Sequence, residues 1–116
     1  MGHPARVTLS IPNGGTDSNA LSSLFSKGNV RSVFGNAAMI TLYAPVALTA
    51  AVTVQVSSKF GSAVWRTLQE SGVDVAVPAG KAVDVFGAGI EDIRFHSAGA
   101  EAAQRDFDVV FLIEMD

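Results

Sequence analysis

The sequence predicts an all-β fold: an antiparallel β-sandwich or jelly roll of about eight strands with one long Ser/Asn-rich loop carrying a short helix. Short runs of apolar–polar alternation recur from Arg6–Ile11 to Phe107–Ile113, and period-two patterning marks half-buried strands. Turn signals rich in Gly, Pro and Ser separate most of these runs at intervals of about 8–12 residues. Fifteen of the 116 residues are valine, whose stiff β-branched side chains suit a pleated surface.

Residues 5–11 place Val7, Leu9 and Ile11 on one face and Arg6, Thr8 and Ser10 on the other. Pro12-Asn13-Gly14-Gly15 ends that strand, since proline removes a donor and glycine supplies positive φ. Residues 12–36 read as a long loop or contact arm within a single domain, 1–116. Ser18 is placed to cap a short helix through Phe25, with Leu21, Leu24 and Phe25 on one side; Gly28-Asn29 would stop it. Val33 and Phe34 follow at similar spacing. So long a connection in a compact domain is usually functional or disordered.

Met39–Ala44 is the next strand, ended by Pro45. Leu48–Ser58 follows, with Val52, Val54 and Val56 on one face. Val64–Gln69 holds Trp65 and precedes the Ser71-Gly72 turn; Val73, Val75 and Val77 then alternate with polar or small residues. Pro78–Lys81 connects to the strand Ala82–Phe86, and Gly87-Ala88-Gly89 to Ile90–Ser97. After an Ala-rich turn at 98–105, Phe107–Met115 closes the chain, with Val110 and Leu112 on the second face. Apolar residues on both faces predict a strand covered on both sides.

Composition excludes several classes. The chain has no cysteine, which removes disulfides and thiolate metal sites. Its net charge of −3 lacks the basic excess of a nucleic-acid binder. Met1–Ser10 carries no apolar run of the signal-peptide kind, and Ala44–Val56 is too short for the roughly 20 residues of a spanning helix. Apolar residues make up 48% and charged residues 16%, against about 25% charged in ordinary soluble domains. So few charges on so apolar a chain predict that part of its surface is covered by something else.

No motif points to catalysis. His96, Ser97 and Asp92 have the residue types of a nucleophilic triad, but no nucleophile-elbow pattern supports them. Asp106 and Asp108 share a strand face and, with Glu91, Asp92 and Glu114, offer oxygen ligands of the calcium kind; the plainer alternative is a solvated face or pairing with Arg94 and Arg105. Gly87-Ala88-Gly89 lacks the rest of a dinucleotide fingerprint. The expectation is a non-enzymatic protein without a catalytic residue, cofactor or metal.

The lines Ile40–Pro45, Leu48-Thr49 with Val52–Val56, Trp65–Gln69, Pro78–Lys81, Ile93–Ser97 and Phe107–Glu114 together resemble small β-sandwich structural proteins of tailed-bacteriophage virions, of the capsid decoration or cement type. The resemblance spans Ile40 to Glu114 and lies in general character, with short strands, Ala/Gly/Val/Thr-rich connections and no catalytic motif. It implies a module that binds the major capsid protein or other virion proteins, found in the virion and in host cytoplasm during assembly. Leu21, Leu24, Phe25, Val33 and Phe34 have no place in the strand pattern and are the expected partner interface. A homo-oligomer, dimer or trimer, is expected from the low charge. Nucleic acid and membrane are not expected partners. The alternatives are a tail or neck component, and a carbohydrate- or receptor-binding module using Tyr43 and Trp65 as an aromatic platform.

Overall fold

Alternation becomes a sandwich because each amphipathic strand must bury one face. In the computed structural model the described residues are 2–24, 39–86 and 90–114. Among them the strands are β1 (Gly2–Ile11), β2 (Met39–Tyr43), β3 (Val52–Ser57), β4 (Arg66–Thr67), β5 (Gln69–Glu70), β6 (Val73–Asp74), β7 (Ala82–Phe86), β8 (Asp92–Ser97) and β9 (Arg105–Glu114). A large antiparallel sheet has the order β1-β9-β2-β7, and a small one the order β4-β3-β8. β5 and β6 form a separate hairpin. Its two-residue loop has Ser71 at φ 54 and Gly72 at φ 80, the left-handed pair that matches strand twist.

Register carries the sequence pattern into layers. On the large sheet Leu9 faces Phe107 across the ladder, and Ile40 sits between Phe111 and Val85. On the small sheet Val54 lies opposite Phe95 and Val56 opposite Ile93. All but the half-buried Val56 are buried. The sheets meet where the Phe95 and Phe107 rings stack, centroids 4.5 Å apart and 15° from parallel. Such a pair adds about 0.5–1.5 kcal/mol beyond the area it buries.

Several expectations need correction. β1 begins at Gly2, three residues ahead of the strand expected over 5–11, and His3 pairs in the ladder with β9. Ser18 caps no helix: its hydroxyl donates to the Asn19 carbonyl, and the only helical turn among the described residues is the short 3-10 turn Leu21–Ser23, which has no side-chain cap. The strand expected over Val64–Gln69 breaks at Leu68, whose N–H donates to the Val54 carbonyl while its own carbonyl accepts from Val75 N–H. The chain thus crosses from the small sheet into the hairpin, giving β4 and β5 in place of one strand. Val75 to Val77 then return to pair with β3. Among the described residues no helix is long and apolar enough to cross a membrane.

Candidate partner-binding surface

One side of the sandwich is stitched by the chain itself. The Asn19 side-chain oxygen accepts from Ser10 N–H at 2.9 Å, and Asn19 N–H donates to the Ser10 carbonyl at 3.3 Å. Next to it, Ser18 N–H donates to the Phe95 carbonyl, Phe95 N–H donates to the Ser18 hydroxyl, and Ser97 N–H donates to the Thr16 carbonyl. Residues 16–19 therefore lie along the outer edge of β8 and clamp β1 at Ser10.

Two buried carboxylates hold the flanking loops. Asp92 is fully buried and accepts from the Ser22, Ile93 and Gly61 amides, tying the 3-10 turn and the loop after β3 to β8. Glu101, 1% exposed, accepts from Thr49 N–H at 2.8 Å, Ala50 N–H at 3.1 Å, the Ser97 hydroxyl at 2.7 Å and Arg105 Nε at 2.9 Å. Burial alone would raise its pKa. The hydrogen bonds from Thr49, Ser97, Arg105 and Ala50 outweigh burial and bring it from 4.5 to about 2. Its backbone also pairs with Gly14 and Gly15, so the first turn is held at the same point.

The outer face of the small sheet is polar and internally paired. His96 Nδ1 lies 2.5 Å from Asp17 Oδ1. Arg94 donates through Nε to Gln55 at 2.7 Å, and its guanidinium lies 4.5 Å from the centroid of the Trp65 ring. Asp17 Oδ2 is 3.8 Å from Arg94 Nη2. No triad forms from Ser97, His96 and Asp92. Strand alternation sends Ser97 inward to Glu101, while His96 projects outward to Asp17.

The outer face of the large sheet carries hydroxyl–carboxylate pairs across strands. Thr8 donates to Asp108, Ser10 to Asp106 and Thr41 to Asp84, at 2.8, 2.7 and 2.6 Å. Bonds from Gln104 and Ser10 lower the Asp106 pKa against the opposing effect of burial. These acids are thus engaged by hydroxyl and amide donors.

Among the described residues the opposite side of the sandwich is left open. Ser10 turns its backbone groups toward Asn19 and away from β9. Alternation through β9 and β2 then aims the backbone groups of Ala82, Asp84 and Phe86 away from β2. The Ala44 N–H bond to the Lys81 carbonyl gives the same phase from the other end of β7. Among the described residues nothing pairs with that outer edge. Beside it lies a cleft of about 260 Å³, walled by Val85 and Phe86 on one side and Leu68, Gln69 and Glu70 on the other, with Val56 and Ile90 also lining it. Phe86 is 68% exposed, and Met39, its register partner, is 43% exposed.

The expected site residues separate. Leu21 is core, packed beneath β8, so it does not offer a docking side chain; its burial completes the sandwich. Leu24 is exposed. Phe25, Val33 and Phe34 lie outside the described residues. Tyr43 is exposed on the outer face of the large sheet, whereas half-buried Trp65 packs on the small sheet. They sit on opposite faces and form no single platform. Sequence reasoning passed over Asp17, Glu101 and the β7 edge. A signal for Glu101 existed: one acid inside the Ala-rich stretch 98–103, four residues before Arg105.

No family model matches the chain, and no curated protein matches it in sequence. Its fold is similar to that of the SPBc2 prophage-derived protein YomS in its crystal structure, with a TM-score of 0.59 over 95% of each chain. At 9% sequence identity, what the two share is the fold.

Proposed function

We propose that this chain is a non-enzymatic virion structural protein, a capsid decoration protein that bridges and stabilises shell subunits. The observation that carries this reading is the end-to-end similarity of its fold to a prophage-derived protein, over 95% of both chains. The open β7 side adds a physical reason for docking, because Phe86 and Met39 leave apolar surface in water. A module binding only the assembled shell would stabilise that state by mass action, and repeated contacts would strengthen it through avidity.

The test is purification of intact particles followed by protein stoichiometry and imaging. Fixed copy number on the shell, with shells more fragile when the protein is stripped, is the expected result. A ring at the tail or neck would assign it there instead, and absence from particles would end the structural reading.

A carbohydrate- or receptor-binding role is the second reading, favoured by Trp65 beside Arg94 and Gln55 on an outer face. Trp65 fluorescence that shifts on glycan addition supports it; an unresponsive signal counts against it.

A further inference from the structure

We propose that the outer edge of β7 is a strand-addition site for an extended peptide segment of a partner protein, one alternating apolar and basic side chains. The proposal specifies the contact that the decoration reading requires, and its test needs no particle.

Main-chain recognition is available first. Ala82, Asp84 and Phe86 present their N–H and C=O groups along one line, in the phase that an added antiparallel strand would complete. Unlike β1, whose edge is interrupted by Pro4 and clamped at Ser10, this strand holds no proline and no side-chain clamp among the described residues.

Side chains then select the occupant. An added strand alternates in step with β7. Its inward side chains would enter the cleft against Val85, Leu68 and Val56, which calls for apolar groups. Its outward side chains would lie beside Asp84 on the outer face of the large sheet. Asp84 has no ion-pair partner among the described residues and is engaged only by the Thr41 hydroxyl. Lysine or arginine would complement it. A second copy of this chain fits less well: antiparallel β7–β7 pairing centred on Asp84 sets carboxylate against carboxylate.

The experiment follows backbone amides of the full chain by NMR hydrogen exchange during titration with a short synthetic peptide of alternating valine and lysine. Exchange at Ala82, Asp84 and Phe86 should slow by about tenfold or more at saturation, and Asp84→Lys should weaken binding by about tenfold. Methylating the peptide nitrogens that face β7 should abolish binding. Unchanged exchange at millimolar peptide would overturn the proposal, as would undiminished binding of the methylated peptide. Protection already present in the free protein, with a doubled mass by light scattering, would assign the edge to a second copy and overturn it too. If particles bind the protein while the peptide leaves these amides unprotected, the site is wrong and the decoration reading survives.

Discussion

At the β1–β8 side, residues 16–19 take up outward backbone groups of Phe95 and Ser97 on β8 and clamp β1 at Ser10, and Asp92 and Glu101 anchor the adjoining loops. At the β7 side, the backbone of Ala82, Asp84 and Phe86 meets no such segment among the described residues, and Phe86 stands in solvent beside an apolar cleft. The difference teaches how a small sandwich divides its labour. Exposed strand edges invite pairing with other chains, and natural proteins usually blunt them. Here one edge is blunted from within, at the expense of a long connection. The other is guarded chiefly by the single acid Asp84, which leaves it selective about partners.

The largest expected effect lies on the stitched side. Glu101→Ala would strand the Thr49 and Ala50 amides and remove the carboxylate partner of Arg105, so a loss of about 3–5 kcal/mol is expected in urea unfolding. A loss below about 1 kcal/mol would mean that this end is not held as described.

Acid should expose the same hub without mutation. Glu101 titrates lower in the folded chain, so its contribution is complete above pH about 4.5 and disappears as the pH falls toward about 2. The shift corresponds to about 3 kcal/mol. Asp106, also lowered, acts in the same direction. Glu101→Gln should flatten most of that pH dependence in thermal melts.

Asp92→Ala is expected to cost about 2–3 kcal/mol, because the buried Ile93 amide and the part-buried Ser22 and Gly61 amides lose their acceptor. Asn19→Ala should cost only about 1 kcal/mol and leave Ser10 N–H without its acceptor, loosening the clamp on the β1 edge while the Asn19 N–H bond to the Ser10 carbonyl remains. Faster aggregation of that variant at matched stability would sharpen the contrast between the sides. Phe86→Ser, at a largely exposed position, should change stability by no more than about 0.5 kcal/mol while weakening partner binding. A large loss of stability there would show that Phe86 is core, and the contrast would fail.

The core was legible because its signal is local. Val52 and Val54, or Phe107 and Val109, bury the face that period-two reading assigned them. Trp65 was harder, because nothing in its neighbours shows that Leu68 breaks the strand or that Arg94 covers the ring. Leu21 misled for a related reason: helical spacing suggested a docking face, and the turn instead packs that side chain under β8.

Alternation, valine content and turn chemistry determined by themselves that this chain is an antiparallel sandwich and which face of its longer strands fills it, since each such strand declares its apolar face within a few residues. Only the tertiary structure decided which edge is closed, where Asp17, Asp92 and Glu101 find partners, and where a cleft remains. Those outcomes join residues as distant as Asp17 and His96 or Thr49 and Glu101, and strand order is a property of the assembled sheet that no short window of sequence contains.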